Sequence, residues 1–220
     1  LPESFYEEAR SLCPAHLAGI EVESENIRGL VAGTDLVSVP STDGGVLRFP
    51  VSSFGQANEG INQLLIGRVL QWIEQHGPFE RALELFAGAG NISVALMNRV
   101  SRLTTGELDE RACRAALANV QSRRSDGVTI ERGDALEIYR RHARNCDLVV
   151  LDPPRKGCEE LAQAMKNGRH RAILYIACNP VTLERDLRHL KEGGYRVTEA
   201  TGFDMFPQTR HMEAAVFLER

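Results

Sequence analysis

Cys178-Asn179-Pro180 closes a strand-like apolar run and places a thiol at its mouth; His211-Met212-Glu213 follows downstream with two groups able to take a proton. A thiolate that adds to an electron-poor carbon, with a base to remove a proton afterwards, is the working pair of a covalent catalyst. Upstream, Leu83 to Asn91 reads Leu-Glu-Leu-Phe-Ala-Gly-Ala-Gly-Asn, where glycines 88 and 90 let a ligand approach the backbone closely. Asp152-Pro153-Pro154-Arg155 lies between loop and cysteine, a carboxylate on a segment stiffened by two prolines that supply no backbone donor. A free thiol ionises only near pH 8.5, so such a cysteine needs a local feature that favours the thiolate.

Alternating elements must carry these groups. Strand-like runs fall at Ala82–Phe86, Leu103–Leu108, Val128–Glu131, Leu148–Leu151 and Ile173–Ala177, and helix-like ones at 91–98, 109–121, 135–143, 158–168 and 181–191. This alternation predicts an α/β fold with a mainly parallel, doubly wound sheet covered on both faces. Arg196–Ala200 and Ala214–Leu218 read as a closing pair with one antiparallel strand. Before them, Asn58 to His76 is a helix whose Ile61, Leu64, Leu65, Val69, Trp72 and Ile73 recur at helical spacing, ended by Gly77-Pro78. Residues 1–55 hold a short helix, Phe5 to Leu12, and strands at Leu36–Val39 and Val46–Phe49 joined by Asp43-Gly44-Gly45. We expect them to form a short appendage, the remnant of a central or docking region, with the catalytic domain over 56–220. The chain opens on Leu1 rather than Met, which points to a piece of a longer protein.

Composition narrows the class. At 220 residues, 43% hydrophobic and 25% charged, the chain can bury a full core. The first twenty residues carry Glu3, Glu7 and Glu8 and lack the basic start of a secretion signal, and no apolar run approaches the roughly 20 residues that span a bilayer. A cytoplasmic, membrane-free protein is expected. The cysteines at 13, 113, 146, 158 and 178 make no Cys-x-x-Cys spacing, so neither zinc nor an iron–sulfur cluster is expected. Charge is uneven: residues 1–80 hold 4 basic and 11 acidic side chains, residues 81–220 hold 22 and 19. Of the 26 basic residues 23 are Arg, whose fork suits phosphate oxygens.

Ligands of such sheets bind beyond the carboxyl ends of the strands. Glu107, at the tip of the second strand, can accept both hydroxyls of a ribose, and Asp134, past the third, suits an adenine amino group or a helix N-cap. A dinucleotide fingerprint needs a third glycine where Ser93 stands, and no Gly-Lys-Ser/Thr phosphate loop occurs. An adenosyl cofactor without phosphates fits best. Methylating carbon 5 of uracil with such a cofactor demands the pair described first. Carbon 5 is too weak a nucleophile until a thiolate has added at carbon 6, and its proton must then be removed. Cys178 suits the first task, Glu213 or His211 the second.

Five ordered segments carry a family resemblance: Phe54 to Asn58, Leu83 to Asn91, Asp152 to Gly157, Ile176 to Leu183 with Arg185-Asp186-Leu187, and Phe203 to Glu213. Over about residues 50 to 220 the chain resembles the RNA uridine carbon-5 methyltransferases, which make 5-methyluridine in tRNA and ribosomal RNA. The resemblance implies a Rossmann-like class I fold, S-adenosyl-L-methionine as cofactor, and an unpaired or flipped uridine of RNA as substrate. It implies Cys178 as nucleophile, Glu213 as base, His211 as an orienting group, and cofactor contacts at Gln56, Phe86, Asn91, Glu107, Asp134 and Asp152. Relatives often have Asn at the position of Asp134 and His at that of Arg210. Many carry an N-terminal oligonucleotide-binding barrel and some a four-cysteine cluster, neither present in these residues. Amino-group methyltransferases also place an acid or amide before Pro-Pro, usually with an aromatic residue next. Arg155 stands there instead. An amino-group methyltransferase and an inactive cofactor-binding RNA module are the alternative readings.

Overall fold

Buried strands of a parallel sheet are apolar on both faces because helices cover both, and Leu148–Leu151 and Ala172–Ala177 are buried at every position. The computed structural model describes residues 3–12, 19–24, 27–51, 53–123, 126–209 and 211–220; Leu1, Cys13 and Arg210 lie outside the described residues. In chain order the elements are α1 (Glu3–Leu12), β1 (Gly19–Ser24), β2 (Ile27–Gly33), β3 (Leu36–Pro40), β4 (Val46–Pro50) and α2 (Glu59–His76). They continue with β5 (Phe79–Leu85), α3 (Asn91–Leu96), β6 (Val100–Glu107), α4 (Glu110–Gln121), β7 (Val128–Arg132) and α5 (Ala135–His142). The last are β8 (Leu148–Leu151), α6 (Glu159–Met165), β9 (Ala172–Ala177), α7 (Pro180–Glu192), β10 (Arg196–Phe203) and β11 (Glu213–Glu219).

Seven strands form one sheet in the order β10-β11-β9-β8-β5-β6-β7. β5 pairs in parallel with both β6 and β8, β8 with β9, and β11 enters antiparallel between β9 and β10. The expected doubly wound sheet with one antiparallel strand is the observed one. Strand order reverses at β5, so a crevice opens beyond the ends of β5 and β8. The pleat sorts the core. Leu83, Leu85, Val149, Leu151, Ile173 and Tyr175 face α5, α6 and α7, while Ala82, Leu148, Val150, Leu174 and Ile176 face α2 and α3.

In α2 the buried stripe is Asn62, Leu65, Ile66, Val69, Trp72 and Ile73. Leu64, counted in the sequence stripe, is 64% exposed, and Ile66 takes its place. Both choices fit a 3.6 repeat, and packing decides between them. β1 and β2 form an antiparallel pair absent from the sequence reading, although Ile20-Glu21-Val22-Glu23 alternates with period two as a half-buried strand does. β3 and β4 pair as expected across a turn in which Gly44 has φ +79° and Gly45 N donates to Asp43 Oδ1 at 3.0 Å. This hairpin lies on α4: Asn119 accepts from Arg48 N at 3.0 Å and donates to Arg48 O at 2.7 Å, as a neighbouring strand would. Arg123 pairs with Asp43 and holds its carboxyl down at about 2.

Candidate active site

β5 ends at Leu85, and the chain turns sharply through Phe86, Gly88 and Gly90, all in the left-handed region at φ +63°, +54° and +86°. For Phe86 that conformation costs on the order of 1–2 kcal/mol; Gln208, in the segment between β10 and β11, shares it at φ +66°. A Cβ on Gly88 would meet nothing within 4 Å, whereas one on Gly90 would lie 3.3 Å from Ala116 Cβ. The first glycine leaves open space over the loop; the second lets α4 pack against it. Asn119 Nδ2 also donates to Ala89 O at 2.9 Å and ties the loop to the β3–β4 hairpin.

The loop borders a cavity of about 660 Å³. Eight of the nine residues selected from sequence line it: Gln56, Phe86, Asn91, Glu107, Asp134, Asp152, Cys178 and Glu213. Glu107 is fixed by three backbone donors, Gly88 N on Oε2 at 2.8 Å and Leu108 N and Asp109 N on Oε1 at 2.7 and 2.8 Å. Asp134 caps α5 through Oδ1, which accepts from Leu136 N and Glu137 N, and borders the cavity as well. Gln56 Oε1 is buried without a partner, a loss of about 1–3 kcal/mol unless a ligand or water donates to it.

Cys178 and Glu213 come together through sheet register. The last pair between β9 and β11 is Ala177 with Ala214, so the next step sets Cys178 opposite Glu213. β11 begins one residue earlier than its sequence boundary, which makes Glu213 part of the strand, paired with Phe203 on its other side. Glu213 is 3% exposed. Burial raises its pKa and Arg155 opposes this. Burial and the charge of Glu213 push Asp152 up to about 7. The thiol of Cys178 is raised too, by burial first, then by Glu213, with Arg155 lowering it and Asp152 raising it. The expected feature favouring thiolate is therefore limited to Arg155 and the adjoining backbone; the resting group is a neutral thiol.

His211 does not border the cavity. Its ring packs edge-on against Phe206, centroids 6.3 Å apart, and Phe206 forms part of the wall. Sequence reasoning also missed several wall residues. Phe54 and Leu108 are 70% and 67% exposed apolar side chains at the cavity, and Leu47 and Phe49 come from the hairpin. Asn62 exchanges amide hydrogen bonds with Asn91 at 2.9 and 3.2 Å. Its signal was present: Asn62 stands three, four and seven residues before Leu65, Ile66 and Val69, a polar residue on an apolar stripe.

The sequence profile of the tRNA (uracil-5-)-methyltransferase family matches residues 44–220. The chain belongs to this family. It is 33% identical over 196 residues to a 23S rRNA (uracil(1939)-C(5))-methyltransferase of Hahella chejuensis, covering 86% of this chain and 44% of that protein. A protein of the same description from Chromohalobacter salexigens is 37% identical, with 76% and 35% covered. This family member thus spans less than half the length of those relatives. Among solved structures, Pyrococcus abyssi tRNA (uracil-54, C5)-methyltransferase in complex with S-adenosyl-L-homocysteine superposes with a TM-score of 0.73 at 26% identity, covering 85% of this chain and 45% of that one. Among the described residues no helix is long and apolar enough to cross a membrane, and no group of three or more His, Cys, Asp or Glu could hold a metal ion.

Proposed function

We propose that this chain is the catalytic portion of an S-adenosylmethionine-dependent RNA methyltransferase that forms 5-methyluridine in ribosomal or transfer RNA. The observation that carries the reading is the register setting Glu213 opposite Cys178 at one end of a cavity that Glu107 and Gln56 also line. The cavity suits the cofactor. Glu107 is held by backbone donors with acceptor capacity left for ribose hydroxyls, Gln56 Oε1 awaits a donor, and Gly88 leaves room for close approach. Leu108 and Phe86 offer apolar surface beside Asp134 for an adenine ring. Bound there, S-adenosylmethionine would supply an electrophilic methyl group.

The side chains do the rest. Cys178 sulfur bonds carbon 6 of a flipped uridine, its proton passing to a neighbouring carboxylate, and electron density moves to carbon 5. Once carbon 5 is methylated, Glu213 removes its proton, the double bond re-forms and the thiolate leaves. Asp152, with a pKa near 7, is suited to hydrogen-bond the uracil edge in either protonation state. Flipping costs a few kcal/mol in a duplex and little in a loop, so an unpaired uridine is the expected target. Residues 56–220 carry the chemistry in this reading, and the appendage contributes the β3–β4 wall.

Incubation with transcript RNA and labelled cofactor, followed by mass analysis of nucleosides, tests the proposal. 5-Methyluridine supports it; an N-methylated base would replace it with amino-group methylation, and cofactor binding without product with an inactive module. Two further results are expected. Glu107→Ala should weaken S-adenosylmethionine binding by on the order of 1.5–3 kcal/mol in calorimetric titration, as a charged acceptor is lost; unchanged affinity would remove the ribose assignment. RNA affinity should be modest and fall steeply with salt, because phosphate contacts come from the scattered arginines of a segment balanced at 22 basic to 19 acidic residues. Filter binding that stays tight at high salt would contradict this.

A further inference from the structure

One side of α7 grips the loop that follows β8. Asn179 Nδ2 and Thr182 Oγ1 donate to the Arg155 carbonyl at 3.1 and 3.2 Å, and Arg185 Nη2 donates to the Lys156 carbonyl at 3.0 Å. Asp186 Oδ2 accepts from Cys158 N at 2.7 Å. From the N-cap onward, positions 179, 182, 185 and 186 follow the helical repeat and share a side. Their partners are backbone groups of Arg155, Lys156 and Cys158, so the loop is held on either side of Gly157.

Asp186 is the anchor of this ladder. It is fully buried, with Oδ2 also accepting from Tyr175 Oη of β9 at 2.6 Å and Oδ1 accepting from Arg185 Nε at 2.9 Å. Cys158 Sγ lies 3.4 Å from the same Tyr175 hydroxyl. On the outer side Glu159 of α6 stands 3.4 Å from Arg185 and 3.5 Å from His189. Gly157 has φ +71°, and a Cβ there would sit 2.6 Å from Asp186 Oδ2. Only glycine lets the loop descend onto the carboxylate. The helix that provides this grip starts right after Cys178-Asn179, so one rigid element sets both the thiol and the loop.

We propose that Asp186 is a positioning residue for the thiol site, locking the 155–158 loop to α7 and thereby fixing Arg155 on the cavity wall it shares with Cys178. Arg155 is exposed and borders the cavity. The groups that act on the thiol are Glu213 from β11, Asp152 from the end of β8, and Arg155; the two carboxylates raise its pKa and the guanidinium lowers it. A loop released from Asp186 leaves Arg155 free to move away, and the thiol then ionises at higher pH. The inference deepens the reading of Cys178 as a nucleophile, and its test uses neither RNA nor cofactor, so failure of the methylation reading leaves the outcome intact.

The experiment is alkylation of Cys178 by iodoacetamide across a pH series, read peptide by peptide by mass spectrometry. Peptide mapping separates Cys178 from Cys13 and the rest; Cys113 and Cys158 are buried, and burial pushes Cys146 up to about 12. Asp186→Asn keeps the shape of the side chain; it should slow alkylation by about threefold to tenfold near neutral pH and move the profile upward. Arg155→Gln should move it the same way, and adding Asp186→Asn to Arg155→Gln should change nothing more. Thr182→Val, which removes one donor to the Arg155 carbonyl, should give a smaller shift of the same sign and decides the matter where Asp186→Asn does not fold. An unmoved profile in folded variants overturns the proposal. Full additivity in the double variant does so too, since Asp186 would then act without Arg155.

Discussion

RNA carrying 5-fluorouridine at the target position is expected to trap the wild-type protein in a denaturation-resistant complex when S-adenosylmethionine is present, and Cys178→Ala is expected to trap none. Fluorine at carbon 5 cannot leave as a proton does, so the covalent adduct persists. On ordinary RNA, Cys178→Ala should lose turnover by roughly 10⁴-fold or more, because loss of a nucleophile removes the whole pathway. Glu213→Gln separates the steps: it should still form the adduct and methylate, yet release product slowly, since elimination needs a base and an amide is not one. Gel analysis of the trapped complex and single-turnover kinetics read these effects, in a chain already seen to methylate RNA. Full turnover by Cys178→Ala would sink the covalent mechanism and favour methylation of an amino group.

A second large effect concerns stability against pH. Glu84 lies on β5, 1% exposed, with Oε2 accepting from Ser93 Oγ at 2.6 Å and Oε1 without a partner. Burial, aided by the charges of Asp152 and Glu107, pushes its pKa from 4.5 up to about 8. The folded protein therefore keeps this proton up to about pH 8, whereas the unfolded chain releases it near 4.5. The contribution to stability is full below pH 4.5 and is lost as pH rises to 8. Asp152 and Glu213, also raised, act in the same sense, while buried His170, whose pKa is lowered, costs stability as pH falls. Comparison with Glu84→Gln isolates the one group. Urea unfolding over the pH range should show the wild type losing ground to the variant as pH rises, by up to about 1.4 kcal/mol per pH unit and a few kcal/mol in all. A constant difference between pH 5 and 8 would show that Glu84 is ionised in the fold.

The raised pKa of Cys178 bears on the first of these results. Burial, Glu213 and Asp152 oppose the thiolate, so the proposed nucleophile forms when the balance around it changes. Closing a cavity over reactants strengthens every charge interaction inside it. In the proposed mechanism the group that takes the thiol proton and the group that later takes the carbon 5 proton come from one pair, Asp152 and Glu213, and the charge of Glu213 raises the pKa of Asp152.

Most elements could be read from the chain because they depend on local order, whereas Gln56, Phe86 and Asn91 entered the set of site residues through the family resemblance. Continuous apolar runs such as Leu148–Leu151 report burial on two faces, the glycines at 88 and 90 report backbone that only glycine adopts easily, and Cys-Asn-Pro followed by His-Met-Glu supplies the thiol and carboxylate of the proposed chemistry. Three things were decided only by the tertiary structure. The insertion of β11 between β9 and β10 set Glu213 against Cys178, because register between strands distant in sequence depends on how whole faces pack. The stripe of α2 chose Ile66 over Leu64 and carried Asn62 to the glycine loop, since a helical repeat tolerates a small rotation that only its neighbours fix. The protonation states of Glu84, Asp152 and Cys178 came from burial beside other acids. Residue type names a group that can ionise; desolvation and neighbouring charge, both properties of the folded shape, determine whether it does.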